Sequence, residues 1–297
     1  MIDVLISAAV LASMYGLIAI GISFTWASIG MLNLAQGFIF TAGGYTAWLF
    51  AQYAETLGME GPALSVGVLV FGMGGSALAG LLVGAVAFLP LQDRANFRTR
   101  SLIATLAISL MGTQLWLVLF GSQNKPLPPI FGEGRFEIAN AGISSQQLGT
   151  IIVASFMLAA VIMWMRSSRH GLQMRAMMMN PLGAAVVGVS VRTTGMRVLA
   201  ISGALTGLSS VLLAQVFFVS PTSGTQPLVI GLIISLAGGL GSIPGTVAAA
   251  GLIGLAEAMT ARYLQQSLVP FVLFGIVVLI LIFRPRGLGG LLEDVRE

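Results

Sequence analysis

Apolar residues run along this chain in long blocks, separated by short clusters of glycine, proline, amide and arginine. The blocks do not alternate with a period of two. Several hold about 20 residues, enough to cross ~30 Å of hydrocarbon as an α-helix. They predict spans near 4–27, 37–54, 62–89, 101–121, 146–166, 197–217 and 267–284. A further apolar stretch, 227–261, is broken at Gly238–Gly245 and is long enough for two spans, the first of them short. The pattern predicts an all-α, polytopic transmembrane helical bundle of eight or nine spans, with broken or half helices, as a single domain over 1–297. A β-barrel would instead show alternating segments of ~10 residues.

Composition agrees with that class. The chain is 57% hydrophobic and 8% charged, against roughly 25% charged in a soluble domain. Its 38 glycines suit helices that pack closely through small side chains. The absence of cysteine removes disulfides, thiolate metal sites and a cysteine nucleophile. The opening MIDVLISAAV has no positive n-region and no clear cleavage site. It reads as the start of the first span rather than as a removable signal.

Charge then orients the chain. Arg94, Arg98 and Arg100 share one loop. Arg166, Arg169, Arg175, Arg192 and Arg197 lie in or beside another, which holds no carboxylate. Arg284, Arg286 and Arg296 close the sequence. With all three regions in the cytoplasm, only Lys125, Arg135 and Arg262 of the 14 basic residues lie outside, as the positive-inside rule asks. The N-terminus then falls outside and the C-terminus inside. The segment 122–145 becomes an external loop, in which Phe136–Ile138 has the character of a short strand. Basic residues placed this way belong to a membrane topology, not to a nucleic-acid surface. No insert is long enough for a soluble domain, and no phosphate-loop motif occurs. Any ATPase must therefore be a separate subunit.

Few residues could carry chemistry. The sole histidine, His170, lies in the basic loop, so a serine–histidine intramembrane protease is excluded. Glu257 is the one acid well inside an apolar run, and one acid does not make a metal site. An intramembrane acid is a functional candidate; here it also fits a wetted or ion-paired residue near the outer end of its helix, close to Arg262. Asn33, Gln36 and Gly37 interrupt the first two apolar runs. They fit either a broken helix beside a pathway, where free backbone must be satisfied by protein or water, or a plain turn capped by Asn33. In the run from Gly238 to Gly245 a helix break involves Gly239, Gly241, Ser242, Pro244 and Gly245: Gly238 and Gly239 can end one helix, and Ser242 can cap the next with Pro244 in its first turn. That run reads as a tight turn or as the edge of a half-helix. Asn180 and Pro181 form a helix start. Leu182, Ala185, Val186 and Val189 then recur at helical spacing, and Gly188 permits an end. A short helix with an apolar face amid arginines suits a groove on another protein or, alternatively, an anionic lipid surface.

Several of these stretches together resemble a known family. GLIAIGISF and GMLNLAQGFIFTAGGYTA, then RTRSLIATLAISL, RHGLQMRAMMMNPLGAAVVGVSV, GGLGSIPGTVAAAGLIGLAEA and IFRPRGLGG are similar to the LivH-type permeases of bacterial branched-chain amino acid ATP-binding cassette (ABC) transporters. The resemblance covers nearly the whole chain. It implies an importer permease for branched-chain or related amino acids or small amides, in the bacterial inner membrane. It implies as partners a LivM-like second permease or an identical copy, two cytoplasmic ATPase subunits and a periplasmic substrate-binding protein. No cofactor is expected on this chain, and ATP-Mg belongs to the ATPases. The coupling loop becomes 171–190, with Arg175 and Ala176 joining the residues from Asn180 to Gly188. Met179 and Asn180 stand where the family usually has acids, and Gln36 where it often has histidine. The competing class is a stand-alone ion- or proton-coupled transporter, which calls for several intramembrane acids or an unwound cation site.

The charge split generates the first prediction. The chain has no native cysteine, so His170→Cys supplies a single reporter. An impermeant thiol reagent is expected to label it in inverted vesicles and not in intact cells. Labelling from outside would overturn the orientation.

Overall fold

The structure, a computed structural model, describes residues 1–132, 134–138 and 141–289. Arg296 lies outside them. The chain folds as α1 (Ile2–Ile29), α2 (Gln36–Thr56), α3 (Pro62–Val83), α4 (Leu89–Leu91), α5 (Phe97–Phe120), α6 (Ser145–Ser167), α7 (Arg169–Met179), α8 (Pro181–Val186), α9 (Val191–Ala214), α10 (Thr225–Gly238), α11 (Ile243–Tyr263) and α12 (Val269–Phe283). A π turn, Gly84–Phe88, joins α3 to α4. Pro90 explains it, because proline cannot donate to the carbonyl four residues earlier and its ring crowds that oxygen.

Seven helices are long and apolar enough to cross a membrane: α1, the α3–α4 unit, α5, α6, α9, α11 and α12 with its leading turn. That is fewer than the eight or nine expected. The α2 helix has the length, at 21 residues, but Gln36, Thr41, Thr46, Gln52 and three glycines dilute its apolar character. The α10 helix has 14 residues, about 21 Å at 1.5 Å per residue, well short of the hydrocarbon thickness. The short α10 corresponds to the short first span expected in 227–261, whereas the sequence predicts α2 as a full span over 37–54.

The centre of the bundle is built from α1 and α9. In their most apolar windows 61% and 72% of residues are buried, against 11% in α5 and 17% in α6 and α12. Hydrophobicity does not sort these helices, because lipid tails are as apolar as a core. Small and hydroxylated side chains do. On α9, Ser202 donates to the Gly21 carbonyl at 2.9 Å and Ser209 to the Met14 carbonyl at 2.7 Å. Ser76 on α3 donates to the Ile39 carbonyl at 2.7 Å. Glycines permit these approaches. A Cβ at Gly203 would sit 2.4 Å from the Ser76 carbonyl oxygen, and one at Gly80 would sit 2.4 Å from that of Leu199.

The arginine-bearing connections gather at one end of the bundle. Phe24, Met165, Met174 and Val198 form one apolar cluster there, with Ile243 packed against it. Phe88 packs edge-on to Phe97 at 6.1 Å. At the opposite end, Lys125 pairs with Val219 across two connections, and Ser65 donates to the Ile130 carbonyl at 2.6 Å. The strand expected at Phe136–Ile138 is part of a hairpin, Arg135–Ile138 against Ala141–Ser144. Its second strand has no apolar alternation to reveal it. Ser144 then caps α6 in a capping box with Gln147.

The close α3–α9 crossing generates a prediction. Gly203→Leu drives a side chain into the α3 backbone, and overpacking of this kind costs about 1–3 kcal/mol or more. Detergent-solubilised protein is expected to lose its monodisperse size-exclusion peak. Gly251→Ala, where an added Cβ meets nothing within 4 Å, is expected to leave that peak unchanged.

Candidate functional site

The first interruption starts with Gly30 in the left-handed region, φ 68°, ending α1. The chain then climbs back beside α1, because Gln36 at the start of α2 reaches the level of Gly21, where an added Cβ would lie 3.2 Å from the Gln36 amide nitrogen. Eight residues separate Gly21 from the end of α1, about 12 Å of helix. The free backbone on this climb finds partners inside the protein. The Leu34 amide donates to Thr105 Oγ1 at 3.2 Å, and the Ala35 amide to Asn33 Oδ1 at 3.0 Å. Asn33 Nδ2 donates to Gln36 Oε1 at 3.0 Å. Gln36 Nε2 donates to Ser202 Oγ at 2.9 Å and to Thr206 Oγ1. Asn33 and Gln36 are both fully buried. They face neither lipid nor an open channel within this subunit; they fix the break against α9.

The second interruption lies between α9 and α10. It returns from the C-terminal end of α9 to Gly224, where the short α10 begins. The two breaks meet. A Cβ on Gly37 would lie 3.0 Å from the Gly224 carbonyl oxygen, and one on Gly224 would strike the Gly37 carbonyl oxygen. Backbone therefore touches backbone at this point. A cavity of about 250 Å³ lies next to it, walled by Tyr15, Phe40, Ser210, Ser220, Ser223 and Gln226 among others. Sequence reasoning named the first break and missed both the one between α9 and α10 and the cavity. Its polar lining comes from residues scattered over α1, α9, α10 and the connection before α10, with no shared local pattern.

Glu257 is 4% exposed, so it is not the wetted end residue that the sequence suggested. It sits on the α1-facing side of α11 near Tyr15, and its Oε2 has no hydrogen-bond partner. Small residues on both helices let α11 approach closely enough to bury it: a Cβ at Gly254 would lie 2.8 Å from the Ala8 carbonyl oxygen. Among the described residues there is no group of three or more metal-ligating side chains.

The run from Gly238 to Gly245 is a turn between α10 and α11. Gly239 and Gly241 have φ of 88° and 95°, which only glycine adopts freely. Ser242 caps α11, accepting from the Gly245 amide at 3.2 Å, and Pro244 sits in the first turn. The Gly241 amide donates to Ser23 Oγ on α1 at 2.9 Å. The Leu288 and Gly289 amides, beyond α12, donate to the Ala237 and Gly238 carbonyls at 2.9 Å each. Gly245 leaves room for that contact, since a Cβ there would lie 2.8 Å from Gly289 Cα.

The basic loop holds two helices where the sequence suggested one. The missed one is α7, which carries Arg175 and Ala176 and is capped by Ser168. Its first turn directly follows α6, so periodicity alone does not separate them. Arg175 donates to the Arg166 carbonyl at 3.1 Å. Asn180 caps α8 by accepting from the Gly183 amide at 2.9 Å. The expected helix over 181–189 stops at Val186, because Gly188 takes φ 88° and the Val189 amide turns back to the Ala184 carbonyl at 2.9 Å. The apolar face points away from the protein: Leu182 is 81% and Val186 88% exposed, Ala185 is also exposed, and only Ala184 is buried.

Comparison with known proteins accounts for this arrangement. The family model described as branched-chain amino acid transport system / permease component matches residues 4–283. LivH, the high-affinity branched-chain amino acid transport system permease protein of Escherichia coli K12, is 28% identical over 286 residues, covering 94% of this chain and 92% of LivH. BraD of Pseudomonas aeruginosa is 26% identical over 292 residues, covering 96% and 94%. A probable LivH of Methanocaldococcus jannaschii is 27% identical over 304 residues, covering 97% and 92%. PsaBC from Streptococcus pneumoniae, solved in complex with Fab, shares the fold at a TM-score of 0.50 and 12% identity, over 94% of this chain and 91% of that one. The stand-alone ion-coupled transporter is thereby set aside. This multi-pass membrane protein is a transport subunit and not an enzyme, and it belongs to the family of branched-chain amino acid transport system permease components.

Proposed function

We propose that the chain forms one half of the translocation pathway of an ABC importer in the bacterial inner membrane, passing branched-chain or related amino acids or small amides. The arginine-rich end is cytoplasmic, so the N-terminus is periplasmic and the C-terminus cytoplasmic. This chain holds no cofactor; ATP-Mg binds two cytoplasmic ATPase subunits. A second permease subunit, LivM-like or identical, completes the pathway, and a periplasmic binding protein delivers substrate to the opposite end. The pathway runs beside the Gly37–Gly224 crossing. Asn33 and Gln36 act there by holding the break in shape, as their burial and bonding favour. The loop 171–190 carries coupling to the ATPases through α8, with α7 as its support.

The observation that carries this reading is the outward apolar face of α8 at the arginine-rich end. Leu182 and Val186 are nearly fully exposed on a helix with a firm cap, which suits a groove on a soluble partner. Val186→Asp places a charge in that contact, and an unpaired buried charge costs roughly 3–5 kcal/mol. ATPase co-purification and binding-protein-stimulated hydrolysis are expected to be lost while the permease still inserts. Wild-type values for both would refute α8 as the coupling element.

Gln36→Ala tests the break. It strips partners from Asn33, Ser202 and Thr206, and a buried polar group left unsatisfied costs about 1–3 kcal/mol. The thermal unfolding midpoint of the purified permease is expected to fall by several degrees. Gln52→Ala, on the exposed side of α2, is expected to leave it unchanged.

A further inference from the structure

The stretch from the end of α6 to the start of α9 carries a charge that nothing around it balances. From Arg166 to Arg197 it holds five arginines, His170 and no carboxylate. Arg175 donates to the Arg166 carbonyl, and Arg197 bonds to His170 and Gln173. The side chains of Arg166, Arg169 and Arg192 are exposed and form no ion pair among the described residues. Arg169 starts α7, and Arg192 is the second residue of α9. A helix N-terminus carries partial positive charge, which disfavours a cation there. No acid stands in the first turn of α7, α8 or α9 to offset it. Between these cations α8 packs against both α7 and α9. Met179, Leu182, Val186 and Val187 leave an apolar surface there, each of them 67% exposed or more.

We propose that the ATPase surface receiving α8 is an apolar groove rimmed by carboxylates, which pair with Arg169 and Arg192 on either side of the helix. The inference rests on the permease reading and adds the partner's chemistry to it. An apolar centre inside a charged rim is the ordinary anatomy of a protein interface. A lipid surface fits less well. A helix lying on anionic lipid presents its own cationic face opposite its apolar one. The α8 helix reads Pro-Leu-Gly-Ala-Ala-Val, carries no charge and has only six residues. Its cations stand on the neighbouring helices, where they meet a rim while α8 enters the groove. Such a rim speeds encounter and selects the partner, because an ATPase with a basic rim meets like charge and is rejected.

The test measures the Kd of the transporter's purified ATPase subunits for the full-length permease in nanodiscs of net-neutral phosphatidylcholine. Salt is raised from about 0.1 M, where charges act over roughly 10 Å, to about 1 M, where they act over roughly 3 Å. Binding to the unaltered permease is expected to weaken about tenfold across that range. Arg169→Gln combined with Arg192→Gln is expected to weaken binding about tenfold at low salt and to remove most of the salt dependence. Lysine at both positions is expected to keep both properties. Arg135→Gln, on the exposed side of the hairpin at the opposite end, is expected to change neither. Salt-independent binding, or equal binding by the double Gln variant and the parent, would overturn the proposal. So would binding that appears only in discs containing phosphatidylglycerol, which assigns the arginines to lipid. Binding that Val186→Asp abolishes, but that neither salt nor the double Gln variant weakens, overturns this inference and leaves the permease reading standing. Absence of binding in both kinds of disc overturns the two together.

Discussion

Every backbone N–H and C=O in the hydrocarbon layer must find a partner inside the protein, and the two interrupted segments are where that demand is hardest to meet. The 30–36 break meets it with Thr105 and Asn33, each accepting from a backbone amide of the climb. The second break meets it with local turns, where the Ser223 and Thr225 amides return to the Ser220 and Thr222 carbonyls at 3.1 and 3.0 Å. The two then cross through Gly37 and Gly224, where no side chain separates them. Much of the remaining design follows from holding this crossing. Ser202 and Thr206 on α9 receive Gln36, and Ser202 also ties α9 to α1.

Part of this architecture was legible in the sequence. The apolar blocks located the helices long and apolar enough to span a membrane. The caps at Asn180 and Ser242 were legible because capping is local: an oxygen three residues before an amide needs no tertiary context. The cavity, the nearness of Tyr15 to Glu257 and the Gln36 network were not, since each joins residues far apart in the chain. Glu257 misled for a physical reason. Proximity to Arg262 suggested an exposed end, but Gly254 lets α11 approach α1 so closely that the acid is covered. The expected count exceeds the seven candidate spans by α2 and α10, the one diluted by polar residues and the other short.

The arginine-rich end is one connected body. The α7 helix packs through Met174 against Phe24 of α1 and Val198 of α9. The turn before α11 is fastened to α1 by Ser23, and the segment after α12 is fastened to the end of α10. Its two backbone bonds satisfy carbonyls that a helix C-terminus leaves free. Closely packed interiors transmit displacement instead of absorbing it. Met174 thus joins α7 to both α1 and α9. Gln36 bonds to α9, and an added Cβ at Gly21 of α1 would nearly touch it, so it rides with both helices. Gly224 precedes α10, which packs against α1 in the main apolar cluster and whose far end is tied to the chain beyond α12. The two segments meet backbone to backbone at Gly37 and Gly224. A backbone contact without side chains can slide there without breaking a packed core.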